Sequence, residues 1–209
     1  ISTLCNVLMS ARPLLAKVTA TQLPPVWLSY GADDAYTMGL DGKAYDLDLA
    51  ELERVSLETT EHVRIFMKSD ILRYCDLIDM PGISDPSMCS EVWERVAHLA
   101  DGVLWCTHAT QAWRQSESGV WSTFPQEMRR NSLLLVTRFD KILGDKDKAK
   151  VLKRVRSETD DLFADVLPMS LVQAMTAGDD EEKWEASGAH TFTSALFGII
   201  HRVIDEGFP

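Results

Sequence analysis

Two stretches of the sequence end an apolar run in a carboxylate, and both carry residue types suited to a nucleoside triphosphate. The first is Asp79-Met80-Pro81-Gly82, reached through Asp76-Leu77-Ile78. An aspartate delivered there can hold Mg2+ through water, while the glycine N–H meets the terminal phosphate. The plainer role, a turn capped by Asp79, leaves the preceding apolar run and the proline unexplained. The second is Leu133-Leu134-Leu135-Val136-Thr137-Arg138-Phe139-Asp140. Guanine presents N1–H and N2–H2 side by side, so one carboxylate at Asp140 can accept from both, whereas adenine offers no such pair. A buried acceptor left unpaired by the wrong base discriminates strongly. The competing role for Asp140 is a cap on the helix that follows.

Two further segments are weaker alone. Pro168-Met169-Ser170-Leu171 ends a short apolar run, where backbone N–H groups can approach a base carbonyl. Ser2-Thr3-Leu4-Cys5-Asn6-Val7-Leu8 opens a helical pattern whose first hydroxyl can ligate Mg2+ or simply cap the helix. Order along the chain carries the argument, because ligands of open α/β sheets gather at the carboxyl ends of strands.

The elements needed to position these residues are legible in the hydrophobic periodicity. Helices are predicted over 2–15, 50–59, 91–99, 116–130 with a bend at Pro125, 145–166 and 191–204. Strands are predicted over 26–30, 62–67, 72–78, 102–107, 133–137 and 167–170. Leu40-Asp41-Gly42-Lys43 reads as a hairpin turn between two antiparallel edge elements. The acidic run between Thr176 and His190 reads as a solvated loop. Alternating strands and helices imply an α/β fold, a largely parallel sheet with helices on both faces.

Composition bounds the rest. A chain of 209 residues with 45% hydrophobic and 25% charged residues can bury a core as one domain, and it shows no internal repeat. A net charge of -11 disfavours a nucleic-acid partner, yet a nucleotide remains compatible, since backbone N–H groups and Mg2+ neutralise phosphates locally. Cys5, Cys75, Cys89 and Cys106 form no C-x-x-C pair, so neither a zinc site nor a disulfide framework is indicated; reduced thiols of a cytoplasmic protein fit. His62, His98, His108, His190 and His201 lack metal-ligand spacing.

Taken together, the segments resemble the GTPase domain of bacterial dynamin-like proteins, over nearly the whole chain. That resemblance implies a P-loop GTPase-like three-layer sandwich that binds GTP and GDP and hydrolyses GTP with Mg2+, slowly in isolation. In such domains the Walker loop ends in Gly-Lys-Ser-Thr-Leu and runs into a helix, which Ser2, Thr3, Leu4 and Asn6 match. Ser2 then becomes the direct magnesium ligand, with Thr3 beside the nucleotide. Thr21, ahead of Leu23-Pro24-Pro25, takes the place of the switch threonine that meets both magnesium and the γ-phosphate, with Thr19 second in line. Asp79 and Gly82 match the Asp-x-Pro-Gly motif; Thr137, Arg138 and Asp140 match Thr/Asn-Lys-x-Asp; Ser170 and Leu171 match the loose last motif. The resemblance further implies a homodimer across the nucleotide face, self-assembly, and peripheral contact with the inner face of a membrane through segments outside these 209 residues.

Three departures matter. Ile1 stands where the family has its lysine, so the glycine-rich loop is expected upstream and the domain is read as N-terminally incomplete. Arg138 replaces a lysine whose stem covers the base, a role open to a planar guanidinium. Ile83 stands where small signalling GTPases carry a water-orienting glutamine. The rival reading is a degenerate guanine-nucleotide-binding or assembly module without turnover. GTPases of the ribosome-assembly or septin-like branches share the motif order, but the hairpin and extra short helix between Leu40 and Leu72 favour the dynamin-like reading.

Overall fold

The computed structural model describes residues 2–9, 23–82 and 90–207, and these fall into two compact units, residues 1–100 and 101–209. In the first unit, α1 (Ser2–Met9) is followed by β1 (Val26–Tyr30), β2 (Asp34–Gly39), β3 (Ala44–Asp46), β4 (Thr60–Met67), β5 (Leu77–Asp79) and α2 (Ser90–Ala97). The sheet order is β3-β2-β4-β1-β5. Only β1 and β4 run parallel; the other three pairings are antiparallel, so the parallel expectation fails in this unit. The reason is local. Asp41 accepts from the Lys43 N–H and Gly42 takes φ +75, which folds β2 onto β3 as the Asp-Gly signal predicts.

Alternation along β1 and β4 separates two faces. Val26, Leu28, Val63, Ile65 and Met67 are buried and lie on one face, while Trp27, Ser29, Arg64 and Phe66 point to the other. Helix α2 buries Val92 and Val96, one turn apart, and Arg95 donates to the carbonyls of Leu57 and Thr60 beside the start of β4.

In the second unit the sheet is wholly parallel, β6 (Leu104–His108), β7 (Leu133–Thr137) and β8 (Asp165–Pro168) in that order. All five residues of β7 are buried, as befits a central strand covered on both faces. The connecting helices are α3 (Gln115–Trp121), α4 (Asp145–Glu158), α5 (Leu171–Ala177), α6 (Glu181–Ala186) and α7 (Ala189–Glu206). Helix α7 buries Ala189, Phe192, Leu196, Ile199 and Ile200 along one stripe. Trp105, Trp113, Trp121, Phe124 and Phe163 interlock mostly edge to face, with Trp121 and Phe163 stacked at 4.4 Å.

Several predicted elements change on folding. Ile71–Arg73 is a 3-10 turn, so the strand predicted over 72–78 shrinks to β5; Asp70 starts that turn and Arg73 pairs back to it at 3.6 Å. The helix predicted over 116–130 stops at Trp121, and Pro125 opens a separate 3-10 segment, Gln126–Asn131. The helix predicted over 145–166 ends at Glu158, where Thr159 turns its hydroxyl onto the Val155 carbonyl and Asp161 adopts φ +59. The acidic run read as a loop contains α6, because Asp180 accepts from the Lys183 N–H and Glu181 and Glu182 occupy the positive end of the helix dipole. The surface helix predicted over 50–59 is a 3-10 segment, Leu49–Arg54. Among the described residues no helix is long and apolar enough to cross a membrane.

Gly188 precedes α7 at φ +84, and an added Cβ there would collide with the Pro168 carbonyl oxygen at the end of β8. Gly198, inside α7, has open space around its missing side chain. Urea unfolding is expected to show Gly188→Ala losing about 2–4 kcal/mol from strain and overpacking. Gly198→Ala is expected to gain about 0.5–1 kcal/mol by the helix preference for alanine. Equal midpoints for the two variants would contradict the described start of α7.

Candidate functional site

Asp79 is the last residue of β5, register-paired with Val26, and its side chain emerges on the buried face of that sheet. Its Oδ1 is sealed from solvent and has no hydrogen-bond partner among the described residues. Burial pushes its carboxyl up to about 6. An ionisable oxygen with no donor is costly unless a cation or a cation-bound water meets it, so this donor set suits a hydrated divalent ion. Gly82 follows, exposed, with nothing among the described residues within 4 Å of a notional Cβ. Ser2 and Thr3 open α1 in the same unit. Thr21, the predicted switch residue, and Thr19 lie outside the described residues, as do Ile1 and Ile83.

The second set is assembled within the other unit. Beyond Thr137 the chain enters the left-handed region at Arg138, φ 54 and ψ 33, an unusual conformation for a side-chain-bearing residue and one that clusters at functional turns. The turn Phe139–Lys141 follows, with the Phe139 N–H donating to the Met169 carbonyl and the Met169 N–H to that of Val136. These bonds lock the ends of β7 and β8 together. Ser170 donates its hydroxyl proton to Asp140 Oδ1 at 2.7 Å, and Ser170 Oγ accepts from the Gln173 N–H as the cap of α5. Lys141 Nζ lies 3.5 Å from the other carboxylate oxygen. The Ser170 hydroxyl, with Lys141 helping, holds the Asp140 carboxyl below its ordinary 3.8.

Thr137 does not face outward. Its hydroxyl donates to the Thr107 carbonyl at 2.9 Å and ties β7 to β6. The Ser170 N–H is also engaged, on the Ser187 carbonyl, so it is not free for a base carbonyl as the sequence suggested. The Leu171 N–H, in the first turn of α5, has no partner within the helix.

Sequence reasoning missed the support behind this turn. Glu117 is buried, and its Oε2 accepts from the Thr107 hydroxyl at 3.0 Å and the Arg114 N–H at 2.8 Å; Thr107 in turn accepts from the N–H of Trp113, which sits at φ 56. The signal was a glutamate three residues into a helix, masked because Arg114 occupies the capping position. His108, set aside in the sequence, ends β6 opposite Thr137; burial first, then Arg138 and Arg114, holds its imidazole below the ordinary 6.5. A shallow cleft of about 700 Å³, lined by Glu127, Arg129, Arg130, Asp161 and Arg202 among others, opens at the other end of this sheet. It mixes both signs of charge and takes no part in the Asp140 arrangement.

No family model and no curated protein matches the chain. Solved structures do. An oligomerised bacterial dynamin pair, described as a mechanism for long-range sensing and tethering of membranes, superposes with a TM-score of 0.71 at 17% identity, over 94% of this chain and 36% of that one. A second structure of such a pair gives 0.65 at 14% identity, over 96% and 34%. Era in complex with MgGDPNP and a 16S ribosomal RNA segment is more distant, at 0.45 and 16%, over 88% and 50%. The chain thus shares its fold with part of those bacterial dynamin chains and spans about a third of their length.

The raised Asp79 value gives a pH signature. Between about pH 4 and 6 the unfolded chain releases this proton while the folded chain keeps it, so folding stability falls as pH rises through that window. Asp79→Asn is expected to abolish that decline and gain roughly 1–3 kcal/mol at pH 7.5, with little change near pH 4, in urea titrations. Equal effects at both pH values would show that the carboxyl is not buried as described.

Proposed function

We propose that the chain binds guanine nucleotides with Mg2+ and hydrolyses GTP, in a domain whose switch segments respond to the γ-phosphate. The observation that carries this reading is the Asp140 carboxylate, kept ionised by the Ser170 hydroxyl beyond a buried parallel strand and next to a left-handed Arg138. An acceptor so placed suits the paired N–H donors of guanine, and the Arg138 guanidinium suits the face of the base. Leu171 contributes its N–H toward the base carbonyl, while Ser170 orients Asp140 and Thr137 secures the strand that delivers it.

In the first unit, Asp79 would hold magnesium through water and Ser2 directly, with Thr3 beside the phosphates. Thr21 completes the metal contacts and, with the Gly82 N–H, reads the γ-phosphate. Mg2+, when bound, neutralises charge building on the phosphate oxygens during transfer. The open surroundings of Gly82 suit a close approach of backbone to phosphate. Assembly across the nucleotide face, and membrane contact through parts of the protein outside this chain, follow as expected outputs of the dynamin-like fold. A cytoplasmic place peripheral to a membrane fits that output. Ile83, in the position after Gly82, favours a second reading, a nucleotide-binding module without turnover.

Phosphate release from GTP by the purified full-length protein separates the two readings; binding without release supports the module. Asp140→Asn is expected to weaken GTP binding at least about tenfold and shift preference toward xanthosine nucleotides, read by competition binding. Unchanged guanine selectivity would remove Asp140 from its role.

A further inference from the structure

Strand β5 has only three residues in its ladder with β1, Leu77, Ile78 and Asp79. Because side chains alternate, a one-residue slip of so short a strand would carry the Asp79 carboxylate from the buried face to the opposite one. Three backbone pairs give little protection against such a slip. The side chain just before the strand supplies the rest. Asp76 Oδ2 accepts from Trp27 Nε1 at 2.8 Å, from the Ser29 hydroxyl at 2.9 Å and from Arg64 at 3.2 Å.

The donors come from both strands on that side of β5. Trp27 and Ser29 lie on β1, and Arg64 lies on β4, register-paired with Trp27. Arg64 is itself held, its Nε donating to the Ser29 hydroxyl at 3.1 Å and its guanidinium lying 4.6 Å from the Trp27 ring and 5.3 Å from that of Phe66. Ser29 stands where the next register partner of β5 would fall, beyond Leu28 with Leu77, so its hydroxyl extends the ladder by a side-chain bond. The ion pair alone, with side chains 28% and 38% exposed, would be weak; the convergence of three fixed donors on one oxygen makes the clamp.

We propose that Asp76 is a positioning residue for the metal end of the site: it locks the register of β5 from the face opposite Asp79 and so decides where the Asp79 carboxylate points. The inference rests on the proposed role of Asp79 toward Mg2+. A merely structural Asp76 would alter stability and leave metal linkage untouched. A register lock alters the linkage between metal and nucleotide, leaving base selectivity to Asp140.

The test follows release of N-methylanthraniloyl-GDP from the full-length protein in Mg2+ and in EDTA, taking the ratio of the two rates. In the parent EDTA accelerates release, and Asp79→Ala brings the ratio close to one. Asp76→Ala is expected to lower the ratio roughly tenfold, toward the Asp79→Ala value, with guanine over xanthine preference unchanged. Asp76→Asn, which keeps an oxygen for Trp27 and Ser29, is expected to restore most of it. Should Asp76→Ala fail to fold, the double variant Trp27→Phe with Ser29→Ala leaves the carboxylate in place, removes two of its donors and is expected to lower the ratio in the same direction. A parental ratio in the folded variants overturns the inference alone, and a parent that binds no guanine nucleotide overturns the proposed function with it.

Discussion

A carboxylate at or just beyond the end of a strand points where that strand's register and the turn that follows it send it, and both candidate carboxylates of this chain depend on that constraint. Each is secured differently. Asp140 leaves β7, a strand buried along its length and flanked by parallel partners on both sides, so its register is over-determined by burial and by the bonds from Phe139 to Met169 and from Met169 to Val136. Asp79 ends a strand of three residues at the edge of its sheet, where burial says little, and the side-chain clamp on Asp76 does what the ladder cannot.

That contrast explains what was legible in the sequence. Strand β7 was readable to the residue because four consecutive apolar positions closed by a threonine have one stable solution, and β1 was readable because proline fences it. The Asp79 segment was readable as a motif, yet the strand before it was overextended. Backbone bonds from Leu72 to Ser69, Arg73 to Asp70 and Tyr74 to Ile71 close a local turn at the start of a stretch whose apolar content resembled a strand, and pattern reading cannot weigh such a turn against a ladder. The acidic run before α7 failed for a related reason. Charge suggested solvent, and the run is exposed, but an aspartate with two glutamates behind it also starts a helix.

What the sequence hid altogether is the set of polar partners that converge from distant positions. Asp76 meets Trp27 across 49 residues, and Ser170 meets Asp140 across 30. Neither pair has a local spacing signature. Thr137 is the opposite case: a motif residue by type whose hydroxyl is spent on holding β6 to β7, so its contribution to a base pocket is architectural. The left-handed Arg138 also had no signal, since glycine or asparagine would be expected at that φ.

The two carboxylates end in opposite electrostatic states, and the proposed chemistry needs that. Asp140 is given donors, so it stays ionised through the physiological range and can accept from a neutral base without first losing a proton. Asp79 Oδ1 finds none among the described residues, and burial raises the carboxyl to about 6, so its charge is costly until something positive arrives. A carboxylate left in the state of Asp79 spends folding stability while empty and recovers it on ligation, since any ligand that binds only the folded, ionised form shifts both equilibria together. Under the proposed function, the unit that carries Asp79 is coupled to its ligand through the same group that weakens it when empty. Filling the gap with a protein donor to Asp79 would stabilise the chain and, by the same bond, compete with the ion.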